Sequence, residues 1–186
     1  MTSHFLFVLV LLALLAAAAG SVAGVATDTV AESCDAIRDF VDYAFCAAAL
    51  HSAGPNASRA DRHAHLLLAA DLAASRGASA GDAASAMARS ERGDGGQDNQ
   101  DARDGLEACG MLYGATSVPA LRLMRGYAAA RAWEQARALL PLTGQAGIGC
   151  EAALGDTGGR RRMAAANREF DQLTTMATAL LNKLGG

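Results

Sequence analysis

Four cysteines, Cys34, Cys46, Cys109 and Cys150, are the residues whose type and spacing announce the most chemistry in this chain. An even count in an exported protein favours disulfides over free thiols. The other reactive side chains form no constellation. There is no Gly-x-Ser-x-Gly elbow, no His-Glu-x-x-His, no phosphate-cradling glycine loop and no Cys-x-x-Cys. His63 and His65 stand two apart, so on a helix they diverge and do not readily share a metal ion. They read as surface histidines. Asp42 and Glu151 read as helix-surface charges and not as paired acids. No catalytic residue, cofactor or metal is therefore assigned, and the chain is not read as an enzyme.

The elements that must carry the cysteines are helical. After the N-terminal leader, alanine is abundant, proline is scarce and no stretch alternates β-branched residues. A short helical pair spans about Thr29 to His51, with Val41-Asp42-Tyr43 near its middle, and Ser52 to Ser58 is a turn-rich exit. A second element covers about Ala60 to Arg92, weakened at its centre by Gly77 and Gly81. Gly93 to Arg103, rich in Gly, Asp, Asn and Gln, reads as an exposed connection.

A third helix spans about Asp104 to Arg125, with Pro119 as a kink or break. A fourth covers about Ala132 to Leu154, disturbed by Pro141, Gly144, Gly147 and Gly149. The last spans about Arg161 to Leu184, and its Phe170, Leu173, Ala177, Leu180 and Leu184 make a packing seam. Trp133 and Tyr127 read as core residues beside the turn between helices three and four. Arg160, Arg161 and Arg162 read as a solvated turn, although three cations there oppose the dipole of the helix that follows. Long amphipathic helices with short connections predict an all-α antiparallel up-down four-helix bundle preceded by a helical hairpin.

Four cysteines allow three pairings, and helix geometry favours one. Residues equally far from the turn of an antiparallel pair lie at the same height, because both helices rise by about 1.5 Å per residue. Cys109 and Cys150 are centred between Ala129 and Ala130, close to the break expected at Gly126-Tyr127. Cys34 and Cys46 are centred on Phe40, inside the first helical pair. The expected bonds are Cys34–Cys46 and Cys109–Cys150.

Phe5 to Ala19 is an unbroken apolar run of about 15 residues, short of the roughly 20 needed to span a bilayer. It reads as a secretory signal peptide over 1–26. The mature chain would then be 27–186, comprising a hairpin at 27–58 and a bundle at 59–186, secreted and with no membrane contact after cleavage. Asn56-Ala57-Ser58 is a glycosylation sequon beside Gly54-Pro55. The net charge is −3, and no basic stripe interleaves with aromatics, so nucleic acid is not an expected partner. A monomer is the simplest expectation.

Val41-Asp42-Tyr43-Ala44-Phe45-Cys46-Ala47-Ala48-Ala49-Leu50 resembles the second-cysteine motif of the plant invertase and pectin methylesterase inhibitors. The resemblance is to the invertase-inhibitor branch, which also holds a plane-tree pollen allergen. Ala60-Asp61 with Leu66 to Ala74 is similar to the start of that branch's first bundle helix. Leu106-Glu107-Ala108-Cys109 with Leu112-Tyr113 resembles the third-cysteine motif, and Cys150-Glu151-Ala152-Ala153 the fourth. Asn167 to Leu181 is similar to the final helix. Departures are Leu154-Gly155, where an aromatic is usual, and the Gly158-Gly159 and Arg160 to Arg162 run. The resemblance implies a secreted inhibitor of a plant acid invertase, of the cell wall or vacuole, that covers the substrate cleft sterically. Pectin methylesterase is the alternative target, and a non-inhibitory ligand-binding or storage protein a further reading.

Overall fold

The computed structural model describes residues 28–91 and 96–184; the expected signal peptide over 1–26 lies outside the described residues. Asp28 caps α1 (Thr29–Ala36), and Asp42 caps α2 (Tyr43–Ser52) by accepting the Phe45 amide at 2.9 Å. The two helices form a hairpin closed by Cys34–Cys46, with a Cα–Cα distance of 5.7 Å. A short 3₁₀ turn (Ala57–Arg59) then leads into α3 (Arg62–Ser90), whose N-cap is Asp61.

α4 (Gln97–Met111) begins well inside the segment expected to be a loop. The polar composition of 97–103 conceals a helical face: Ala102, Gly105, Leu106 and Cys109 are buried at intervals of three, one and three. A bond from Gln97 to Asp101 at 2.9 Å adds support one turn on. Pro119 marks a change of helix, as expected. A π-helical turn (Leu112–Ser117) joins α4 to α5 (Val118–Ala129), placing the proline in the first turn of the new helix.

The fourth strut is broken more deeply than expected. It consists of α6 (Trp133–Ala138), α7 (Leu140–Thr143) and α8 (Gln145–Leu154), divided at Leu139, just before Pro141, and at Gly144. Buried Ser117 staples it to the third strut. Its hydroxyl donates to the Leu142 carbonyl at 2.8 Å and accepts from the Ala146 amide at 3.1 Å. α9 (Gly158–Leu184) completes the bundle, starting early enough to place Arg160 to Arg162 within helix rather than in a turn. Arg162 pairs with Glu91 of α3 and Arg160 with Asp156.

Side-chain register makes the bundle antiparallel. Along α3, His63, Asp71, Gly77, Gly81 and Ser85 meet Ala128, Arg125, Val118, Tyr113 and Gly110 in falling order. Against α9, Arg76 meets Glu169 and Glu91 meets Arg162. Between α4 and α8, Cys109 bonds Cys150 at a Cα–Cα distance of 4.5 Å. The loops closed by the two disulfides correspond to roughly 3 and 4 kcal/mol in the chain-entropy treatment.

α3 lies at the centre of the bundle, and its inner face is built from small residues including Ala69, Ala73, Ala80 and Ala84. Gly77 and Gly81 do not weaken it; they let neighbours approach. A Cβ on Gly77 would stand 2.7 Å from the ring of buried Phe170 and 2.9 Å from Val118. Alanine has the higher helix propensity by about 1 kcal/mol, yet overpacking a filled core costs about 1–3 kcal/mol. Gly77→Ala is therefore expected to lower the thermal unfolding midpoint by about 2–4 °C, checked by calorimetry. The same substitution at Gly126, where a Cβ meets nothing within 4 Å, should not lower it.

Candidate functional site

Two polar arrangements stand out inside and at the end of this bundle. The first is internal. Tyr113, in the π-helical turn, is buried edge-on against Phe170 with ring centroids 5.0 Å apart, and its hydroxyl donates to the Asn167 side chain at 2.7 Å. One turn along α9, half-buried Asp171 lies over the α8 backbone so closely that a Cβ on Gly147 would fall 2.0 Å from its carboxylate. Burial, reinforced by the nearby Glu151 carboxylate, pushes the Asp171 acid up to about 6. Burial, with Asp171 and Glu151, also raises Tyr113 above its ordinary value. Glu151 lies in α8, close enough to add to that rise. Asn167 and Asp171 escape a sequence reading, but Asn167 precedes Phe170 by three residues and so continues the apolar seam, which is the available signal.

Neither histidine sits freely on the surface. His65 is fully buried: its Nδ1 lies 2.8 Å from the Ser33 hydroxyl and its Nε2 2.8 Å from the Ala57 carbonyl. A carbonyl only accepts, so Nε2 donates to Ala57, while Nδ1 shares its hydrogen bond with the Ser33 hydroxyl. The ring thereby ties the hairpin and the 3₁₀ turn to α3. His63 is partly buried, with Nε2 2.9 Å from the Ala128 carbonyl and its ring edge-on to Trp133 at 5.5 Å. The two rings do diverge, toward different elements. Among the described residues, no group of three or more His, Cys, Asp or Glu is placed to hold a metal ion.

The second arrangement is the turn from α5 to α6. The Ala132 amide donates to Tyr127 and the Arg131 amide to Ala128, both at 2.9 Å. This is a Schellman motif, in which the residue after the C-cap takes the left-handed conformation and is usually glycine. Here that residue is Arg131, at φ 57°. It is the one non-glycine residue at positive φ among the described residues. Arg131 is exposed, and beneath it Tyr127 and Leu123 are exposed at 37% and 50% one turn apart on α5. Tyr127 is therefore not a core residue. Trp133 is partly buried against the core, anchoring the far side of the turn.

The fold is a disulfide-stapled helical bundle with a left-handed Arg131 in the turn between α5 and α6. The family model for the plant invertase/pectin methylesterase inhibitors matches residues 28–180, and the chain belongs to that family. It is accordingly a proteinaceous inhibitor of an invertase or a pectin methylesterase. No curated protein and no solved structure gives a significant match.

The internal acid makes stability depend on pH. Because folding raises the Asp171 pKa from 3.8 to about 6, its contribution is fully favourable below about pH 4 and is lost as pH rises through 6. For a half-exposed carboxylate, solvent screening leaves about 1 kcal/mol of this. Asp171→Asn should remove that component, so that the difference between variant and parent unfolding midpoints grows from pH 4 to pH 7. A constant difference in thermal scans across that range would show that Asp171 is not the group responsible.

Proposed function

We propose that the mature chain, residues 27–186 after loss of 1–26, is a secreted monomeric inhibitor of a plant acid invertase in the cell wall or vacuole. It binds reversibly and occludes the substrate cleft, and it supplies no chemistry of its own. The observation that carries this reading is Arg131 at φ 57°. A left-handed non-glycine residue costs about 1–2 kcal/mol, and strain of this kind clusters at functional sites. Arg131 is exposed in the α5–α6 turn, and Tyr127 and Leu123 on the preceding helix are exposed and available as apolar anchors.

Glycoside hydrolases act through a pair of carboxyl groups flanking the scissile bond, and a guanidinium is the side chain best shaped to engage carboxylates in a fork. Pectin methylesterase acts on a polymer that gains carboxylates as it is processed. Its groove must tolerate anions, so a cationic probe complements it less well. Asn56 is exposed in the turn before the 3₁₀ segment, a position suited to carry a glycan.

The discriminating experiment titrates the oxidised mature chain against a plant acid invertase and a plant pectin methylesterase in parallel near pH 5. Saturable loss of sucrose hydrolysis alone supports the invertase reading. Loss of pectin demethylation alone replaces it with the second target, and no loss of either overturns both. Arg131→Gly should separate stability from function. Relief of the left-handed strain, less the entropy that glycine adds to the unfolded chain, gives about 0.5–1 kcal/mol and a slightly higher melting temperature. Inhibition should weaken about tenfold or more, as expected for a lost charge-assisted contact.

A further inference from the structure

The structure assigns to His63 the role of positioning residue for the Arg131 turn, an inference that rests on the recognition reading above and adds the device that holds it. The Ala128 carbonyl accepts two hydrogen bonds, one from the Arg131 amide at 2.9 Å and one from His63 Nε2 at 2.9 Å. The first belongs to the Schellman motif. The second reaches across 65 residues of sequence from the first turn of α3. Both lone pairs of that carbonyl are thereby used, and the peptide plane that fixes the turn is clamped from the bundle side. The same imidazole stands edge-on to Trp133 at an interplanar angle of 85°, so one side chain grips the turn on both sides of Arg131.

Such a clamp has a physical purpose here. Glycine at the left-handed position would hold a Schellman turn without help, whereas arginine is drawn toward ordinary right-handed backbone. An external bond to Ala128 opposes that escape and keeps the guanidinium aimed before any partner arrives. Preorganisation of this kind lowers the ordering cost of binding. Because the carbonyl is only an acceptor, His63 Nε2–H is the donor of this bond.

The test uses the oxidised mature chain with His63→Ala and His63→Phe, each alone and combined with Arg131→Gly. Amide hydrogen exchange by NMR reads the turn without any target. Arg131 and Ala132 should exchange about tenfold faster in both His63 variants, the loss of one ordinary hydrogen bond, while the Phe170 amide in α9 is unchanged. His63→Phe retains an aromatic edge for Trp133 and lacks only the donor, so wild-type exchange in that variant would overturn the hydrogen-bond clamp.

Against the enzyme that the parent chain inhibits, His63→Ala should weaken inhibition by about tenfold with arginine at 131 and by little with glycine there, because the clamp acts through Arg131. Equal losses in both backgrounds would reduce His63 to a general structural residue and overturn the assignment. Unchanged inhibition by Arg131→Gly alone would instead remove the recognition reading, and a parent chain that inhibits neither enzyme would do the same. In either case the exchange measurement still decides whether His63 holds the turn.

Discussion

Close approach of backbones to α3 is the constraint on which the rest of the bundle depends. A helix faced with alanine and glycine buries little apolar area per residue, so its attraction to neighbours must come from many short contacts. Phe170 can approach α3 only because Gly77 has no side chain, and Tyr113 and the backbone of Gly110 reach α3 across Gly81. Gly105 plays the corresponding part where α4 meets α8, since a Cβ there would fall 2.7 Å from the Ala153 carbonyl. Small residues placed in this way exchange side-chain bulk for proximity, and the bundle tolerates no filler at those points.

Close packing of small side chains leaves less hydrophobic stabilisation than a leucine-rich core, and covalent and polar staples make up the difference. Cys109–Cys150 joins the third strut to the broken fourth, and Ser117 repeats that connection one level away. Cys34–Cys46 closes the hairpin, which His65 then attaches to α3 through Ser33 and Ala57. These bonds are directional, so they also specify which residues face each other across helices whose apolar surfaces are nearly uniform. A stripe of alanines alone would allow neighbouring registers at similar energy.

A stiff scaffold of this kind suits an inhibitor of an invertase or a pectin methylesterase. The α5–α6 turn lies beside Trp133, which packs partly buried against the core. The strain at Arg131 can persist because the surrounding hydrogen bonds over-determine the turn. Rigidity made from small residues and staples thus supports one local departure from low-energy backbone.

Much of this protein was legible from its residues. Helical periodicity, the seam from Phe170 to Leu180 and the equal spacing of cysteines about their turns follow from the pitch of a helix, a local property. Where composition and periodicity disagreed, as in 97–103, the loop-forming residues masked an apolar face completed only by Leu106 and Cys109 further along. The buried state of His65, the exposure of Tyr127 and the seating of Asp171 over Gly147 were not legible. Each depends on which helix lies opposite, and so on contacts between residues far apart in the chain. Arg131 shows the division most clearly. The chain itself places a cation near a helix end, but only the packed bundle, with His63 brought from α3 to the Ala128 carbonyl, determines that its backbone turns left-handed and its side chain faces outward.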